Sequence, residues 1–365
     1  MDRPESPGSD PIVVVTACDE NYAIGAAAAV RSAIGSVGSE RRLRVFVLDG
    51  GITDPSKQRL MRSWDAPNVE VAWLLPDLTA LGDLEVSGHV TVSTYLRILM
   101  AELLPADVQR AIYLDADTIV THDLNKLWST DLKDAPCAAV QDYFHPYLNP
   151  PETLGHQIFC ETVGFNPEPI PNYRELGLQG SAPYFNAGIM LANIDHWRRN
   201  RVAARALECL RTNRDHVTYW DQYALNTLFS GQWLPIDPRW NQNTTIFNVG
   251  DWKLTHFSQA EFDQIRAAPR IIHFDYKPKP WSLGCAHPFK DLYFHWLDKT
   301  DWRGWRPRLT LKDRLIQARD QAQAAYDNWQ PQDTYRLWQH VRRKAIAPLV
   351  RPLKDLFRRR RSKAA

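Results

Sequence analysis

The sequence predicts an α/β fold, a mostly parallel sheet flanked by helices. Three observations predict it. Short apolar runs alternate with helical stretches through the first half of the chain, the order expected of βαβ units. The first run is followed by a short polar turn and then an Ala-rich helix, the opening of an α/β unit. A later run, Ala111 to Val120, carries four mostly apolar residues straight into two acids, Asp115 and Asp117. Ligands of open α/β sheets sit beyond the carboxyl ends of strands, so these acids would stand at the mouth of a site.

The elements follow in order. Ile12 to Ala17 reads as a buried first strand. Asp19-Glu20-Asn21 makes the turn, and a helix runs from about Tyr22 to Val37. That turn has no Gly-x-Gly-x-x-Gly, which disfavours a dinucleotide fold. Leu43 to Asp49 is a second strand. Asp54-Pro55 begins a helix to about Trp64, with proline in the first turn, where its missing N–H costs nothing. Val69 to Leu74 is a third strand, and Thr91 to Leu104 a helix with Tyr95, Leu96, Leu99 and Leu103 on its apolar side and Arg97 inside it. The Asp115 strand comes next, then Ala135 to Val140. Pro146 to Pro183 is rich in Pro, Asn, Tyr and Gly and reads as an acceptor-side loop or lid, because loops this long in compact domains are usually functional. Tyr184 to Ile194 is a strand, Asp195 caps a basic helix to about Thr212, and Thr218 begins a helix ending near Gly231. Arg270 to Phe274 is a last strand, and His287 to Lys299 a helix.

Composition is that of a soluble globular protein, with 44% hydrophobic and 24% charged residues among 365. Fourteen Trp residues suit sugar-stacking surfaces, though core filling accounts for most of them. Five scattered cysteines, with no metal or redox spacing, read as reduced thiols. The polar start lacks the features of a signal peptide, and no apolar run approaches the roughly 18 residues of a membrane span. These features predict a cytoplasmic protein. Charge is uneven. Residues 341–365 carry ten basic residues and one acid, a net +9, which leaves the preceding residues at −7 of a total of +2. Basic residues mixed with Leu, Val and Phe in that tail predict peripheral contact with an anionic membrane surface, the inner face for a cytoplasmic protein. The alternative is a solvated tail, and nothing beyond charge supports nucleic-acid binding.

Asp115 and Asp117 are i and i+2. In an extended chain such residues point the same way, so both carboxylates could face one hard cation, Mg²⁺ or Mn²⁺. The competing readings are a turn or helix cap. Asp115-Ala116-Asp117-Thr118 also resembles the nucleophile motif of haloacid-dehalogenase-type phosphatases. That motif normally lies near the N-terminus, and no later Gly-Asp-x-x-x-Asp or Asp-Asp pair follows here.

Six stretches in order resemble the retaining glycosyltransferases of family 8, which include bacterial lipopolysaccharide galactosyl- and glucosyltransferases and glycogenin. They are Thr16 through Tyr22, Ser93 through Arg97, Tyr113 through Asp117, Tyr184 through Gly188, Asp221-Gln222, and His273 through Lys279-Pro280-Trp281. The resemblance covers about residues 11–285 and implies a GT-A fold. It divides the chain into a catalytic domain, 11–306 (nucleotide-binding half 11–145, acceptor-side half 146–306), and a helical, basic, aromatic extension, 307–365.

The resemblance also implies roles. Asp115, Asp117 and His273 would bind Mn²⁺, with Mg²⁺ as the alternative. Thr16, Ala17, Asp19, Asn21 and Tyr22 would lie against the donor nucleotide, Asp19 and Asn21 meeting uracil and ribose. Asp19 could equally be a helix N-cap. Arg97 would reach donor sugar or phosphate, or else form a buried ion pair with Asp115. Ala116 belongs to the same donor site. Asn186, Ala187 and Gly188 would touch the hexose, and Asp221 and Gln222 would face it as the catalytic pair. Lys279 would pair with the diphosphate. Tyr276, where some relatives carry Gly, would shape the phosphate pocket. The implied reaction moves glucose or galactose from a UDP-sugar to a glycan acceptor of the lipopolysaccharide type, with retention, by attack from the leaving-group face. The alternatives are a self-glycosylating glycogenin-like enzyme, a UDP-sugar hydrolase, and a silent UDP-sugar- or glycan-binding protein at a membrane surface.

Overall fold

A computed structural model of the chain describes residues 10–82, 84, 92–149, 168–308 and 319. The chain divides into two compact units, Met1–Pro307 and Arg308–Ala365. Residues 150–167 of the expected 146–183 loop and nearly all of the basic extension lie outside the described residues.

The larger sheet has seven strands in the order β3-β2-β1-β4-β7-β6-β8. They are β1 (Ile12–Cys18), β2 (Leu43–Asp49), β3 (Val69–Leu74), β4 (Arg110–Leu114), β6 (Cys137–Gln141), β7 (Phe185–Asn193) and β8 (Leu234–Pro235). β1 runs parallel to β2 from Ile12↔Leu43 to Cys18↔Asp49, and to β4 at Val14↔Ile112. β7 runs antiparallel to both β4 and β6. The chain order reverses between β2 and β4 on either side of β1, and a crevice opens beyond the strand ends at such a switch point. A second sheet, β5-β10-β9, joins β5 (Thr118–Val120), β9 (Gln242–Asn243) and β10 (Ile271–His273).

The first helix, α1 (Ala23–Val37), buries Ala23, Gly25 and Ala26 to Ala29 against the sheet. Side chains this small let it approach closely. A Cβ at Gly25 would stand 2.6 Å from the Ala116 carbonyl oxygen, so glycine there lets the helix touch the acidic turn. Farther along, the Val120 N–H donates to Ser32 Oγ (2.8 Å). The helix thus holds β5 as well as the larger sheet.

Local structure departs from expectation at four places. The stretch expected as one helix, Thr91–Leu104, is a 3₁₀ segment, Val92–Leu99, leading into a short α-turn, Met100–Leu103. The basic helix is capped by Asn193, whose side chain accepts from the His196 N–H, and not by Asp195. It also breaks at Arg201 (φ 50) before resuming as Val202–Thr212. The helix Gln259–Ala267 is additional. Its capping box, Ser258 with Glu261, was present in the sequence as Ser-x-x-Glu. Finally, Ala111–Val120 is two strands separated by a turn rather than one extended run.

Among the described residues no helix is long and apolar enough to cross a membrane. Cys18, Cys137, Cys209 and Cys285 are free thiols.

Candidate active site

β4 ends at Leu114, and the chain turns through Asp115-Ala116-Asp117 before β5 carries it into the second sheet. The turn is pinned on both sides. The Asp115 N–H donates to the Gly188 carbonyl on β7, and the Phe274 N–H after β10 donates to the Asp117 carbonyl. Thr118 Oγ1 closes it by donating to the Asp115 carbonyl (2.8 Å). So the stretch is a turn, and its two carboxylates nevertheless face one point. The carboxylates converge because the backbone folds between them, not because it is extended.

His273, at the end of β10, meets them. Its Nε2 lies 3.3 Å from Asp117 Oδ1 and 3.6 Å from Asp115 Oδ2. The ligating atoms of the three residues all fall within 4.8 Å of one another. In each residue the other heteroatom is occupied. Asp115 Oδ1 accepts from the Tyr113 hydroxyl (3.0 Å) and faces Arg97 Nη2 (3.0 Å). Asp117 Oδ2 accepts from Lys279 Nζ (2.6 Å). His273 Nδ1 lies 2.9 Å from Asn241 Oδ1. Two carboxylate oxygens and one imidazole nitrogen, with outer partners in place, fit a hard divalent cation. Gly188 keeps the space open, for a Cβ there would meet His273 Cε1 at 2.3 Å and Asp115 Oδ2 at 2.8 Å.

Charge is balanced at close range. Burial would raise Asp117, but Lys279 and His273 win and hold it well below the usual carboxylate range. Burial pushes Asp115 up, opposed by Arg97 and reinforced by the Asp117 charge. Arg97 is buried and bridges two acids, with Nη2 on Asp115 and Nε 2.8 Å from Asp221 Oδ2. Its Nε–H aims at the Thr94 carbonyl, so the Asp221 contact is an ion pair without hydrogen-bond alignment. Burial raises Asp221 to about 6 despite Arg97.

One cleft takes in Ala17, Asp19, Tyr22, Arg97, Asp115, Ala116, Asp117, Asn186, Gly188, Asp221, Gln222, His273, Tyr276 and Lys279. Thr16, Asn21 and Ala187 do not line it. Thr16 is fully buried inside the sheet, and Asn21 is exposed. Ala187 contributes backbone instead, its N–H donating to Gln222 Oε1 (2.9 Å) and its carbonyl accepting from Arg97 Nη1 (2.5 Å). Asp19 is an N-cap, accepting from the Asn21 and Tyr22 N–H groups, and also faces the cleft. Lys279 is buried against Asp117 and the Phe274 carbonyl.

Sequence reasoning missed Tyr113, Thr94, Asp142, Asn241, Asp275 and the aromatic wall of Phe144, His145, Tyr219 and Trp220. Thr94 and Tyr113 lay inside the quoted motifs, and Asp142 stood at a predicted strand end. Trp220 has φ 46, a left-handed backbone uncommon for a bulky residue, immediately before Asp221. Asn241 sits in a stretch without periodicity, and nothing in the sequence marked it.

The sequence model of the family described as Glycosyl transferase family 8 matches residues 13–284. The chain belongs to glycosyl transferase family 8. General stress protein A of Bacillus subtilis (strain 168) is 29% identical over 292 residues, which are 79% of this chain and 94% of that protein. Glycosyltransferase GlyA of Streptococcus pneumoniae serotype 4 is 27% identical over 216 residues, covering 59% of this chain but only 25% of GlyA. Among solved structures, the galactosyltransferase LgtC, in complex with donor and acceptor sugar analogs, aligns with a TM-score of 0.64 at 24% identity, over 80% of this chain and 99% of LgtC. That likeness concerns the fold, which is GT-A. This family 8 glycosyltransferase therefore carries its candidate metal site where the parallel half of the larger sheet meets the second sheet.

Proposed function

We propose that this glycosyltransferase transfers a hexose, glucose or galactose, from a UDP-sugar to a saccharide acceptor, with retention and with Mn²⁺ or Mg²⁺ bound by Asp115, Asp117 and His273. The observation that carries the reading is the convergence of Asp115 Oδ2, Asp117 Oδ1 and His273 Nε2 while their other heteroatoms are held by protein groups. A divalent cation there supplies a Lewis acid beside the leaving diphosphate.

The side chains divide the remaining work. Lys279 has a third N–H beyond its bonds to Asp117 and Phe274, and as a point charge it suits a phosphate oxygen. Tyr22, Asp19 and Ala17 line the end of the cleft at β1 and suit the nucleoside. Gln222 and Asp221 lie across the cleft as the candidate catalytic pair. Their own contacts argue against a nucleophile. Gln222 Oε1 accepts from the Ala187 N–H, and Asp221 Oδ1 accepts from the Thr94 hydroxyl (2.9 Å) while Oδ2 faces Arg97. Attack from the leaving-group face, with the departing phosphate oxygen taking the acceptor proton, asks neither residue to abandon these partners. Trapping a glycosyl–Asp221 adduct by mass spectrometry would overturn this step.

UDP release from UDP-glucose and UDP-galactose, with Mn²⁺ and then with EDTA, tests the whole reading. The expected result is turnover of one donor, abolished by EDTA. Metal-independent turnover would remove the metal, and absence of both donor binding and turnover would remove the uridine assignment. A cytoplasmic site of action, with the basic residues 341–365 against anionic lipid, completes the proposal. Sedimentation with anionic liposomes, unchanged on deleting residues 307–365, would remove that part.

A further inference from the structure

A chain of two amides, half-buried Asn186 and buried Asn241, leads to His273, and its polarity is dictated at its far end. Asn186 Oδ1 accepts from the backbone N–H of Gly188 (3.0 Å), and a backbone amide can only donate. Asn186 Nδ2 donates to Asp142 Oδ2 (3.1 Å), and the carboxylate of Asp142 is itself fixed at the end of β6 by the N–H groups of Phe144 and His145. Both contacts set the Asn186 amide in one orientation. The group facing Asn186 Oδ1 must then be a donor, and it is Asn241 Nδ2 (2.9 Å). Asn241 is 1% exposed and has only one other amide atom, Oδ1, which lies 2.9 Å from His273 Nδ1. An oxygen there requires Nδ1 to carry a hydrogen. In the neutral ring Nε2 is then the nitrogen with a lone pair, and it is Nε2 that faces Asp115 and Asp117.

We infer that Asn241 is a positioning residue for the metal site: through its amide it locks His273 in the Nδ1–H form, with orientation inherited from Asp142 and Asn186. This rests on the metal reading proposed above. Asn186 lines the cleft and also transmits orientation: its oxygen accepts two hydrogen bonds and one N–H is spent on Asp142.

The test uses the full-length protein and Mn²⁺ alone, with bound metal followed by electron paramagnetic resonance titration. Asn241→Leu keeps the side chain's shape but offers no acceptor, and Asn241→Asp restores an acceptor oxygen. Loss of such an outer partner typically weakens metal binding about 10–100-fold, which is the expectation for Asn241→Leu. Asn241→Asp keeps the acceptor toward Nδ1 but loses the donor toward Asn186 Oδ1, so it should bind more tightly than Asn241→Leu and within about tenfold of wild type. In turnover, Asn241→Leu should raise the Mn²⁺ concentration needed for half-activity and leave the rate at saturating Mn²⁺ little changed. Wild-type-like binding by Asn241→Leu overturns the inference. So does equal weakening by both variants, which would mark a merely structural residue. If Asn241→Leu fails to fold, as shown by its melting curve, Asn241→Asp decides alone, and weakening beyond tenfold counts against the proposal. Absence of Mn²⁺ binding by wild type would instead sink the metal reading on which this inference stands.

Discussion

The two sheets are built in opposite ways. β1 is a fully covered strand, apolar but for Thr16, and it pairs over seven residues with β2, only a helix away in sequence. The second sheet joins two or three residues each from positions 118–120, 242–243 and 271–273. Its apolar members, Ile119, Val120, Ile271 and Ile272, are as deeply buried as those of β1. Yet it presents Gln242, Asn243 and His273 inside the protein. The first region makes the fold and the second aims the chemistry. The same hydrophobic burial serves both, but in the second it holds polar groups in place: His273 Nδ1 faces Asn241 and Gln242 Nε2 donates to the Asn243 carbonyl.

The sharpest way to break this division is Asp117→Ala. It removes a ligand and leaves Lys279 buried with only the Phe274 carbonyl. Turnover should fall at least about 10²–10³-fold. Stability should fall too, by about 3–5 kcal/mol for a stranded buried charge. Asp117→Ala with Lys279→Met should recover most of the melting temperature and none of the turnover. Recovery of turnover would refute the role given to Asp117.

A matched pair sharpens the comparison. Val14 on β1 and Ile272 on β10 are both fully buried. Truncating either to Ala should cost about 2–4 kcal/mol in denaturant unfolding. Only Ile272→Ala, beside His273, should also weaken Mn²⁺ binding, by about tenfold, the lower end expected for disturbed ligand support. Equal weakening by Val14→Ala would mean that the two regions are not separable.

The smallest effect concerns acid. His287 packs among Phe274, Phe247 and Phe289, behind the strand that carries His273. Its Nδ1 accepts from the Phe289 N–H, its Nε2 has no partner, and burial lowers its pKa from the ordinary 6.5 to about 4. The folded state thus disfavours the protonated ring. The stability contributed by neutral His287 is complete above pH 6.5 and is lost as pH falls through that value toward 4, on the order of 2–3 kcal/mol. Melting curves of His287→Asn should fall less steeply than wild type across that window. Parallel curves would exclude His287 as a source of acid sensitivity.

Much of this was legible in the chain. β2 and β3 match the expected strands residue for residue, because a run of β-forming residues is a local signal both when it is covered, as in β2, and when it is half-exposed at the sheet edge, as in β3. Asp115, Asp117, His273, Gly188, Lys279 and Arg97 were singled out, and all line one cleft. The failures have a common cause. β5, β8 and β9 have two or three residues each, too short for any period to show. The helix expected at 91–104 became 3₁₀ over Val92–Leu99, where Arg97 must reach Asp115 and Asp221 at once. Asp195 lost the cap to Asn193, since both are good caps and the position of the strand end decides between them.

The sequence by itself determined the layered α/β architecture, the order of the long strands and helices, and which acids and histidine belong to the site. The architecture follows from local periodicity, and the site residues from the resemblance of six ordered stretches to family 8. Only the tertiary structure decided which atom of each ligand turns toward the common point. That Asp115 turns Oδ2, Asp117 Oδ1 and His273 Nε2 toward a common point depends on Tyr113, Arg97, Lys279 and Asn241. Asn241 and Lys279 lie more than a hundred residues from the carboxylates. A hydrogen bond between groups so far apart in sequence leaves no pattern in the sequence. It exists only once burial has brought both sheets together and excluded the water that would otherwise satisfy each group separately.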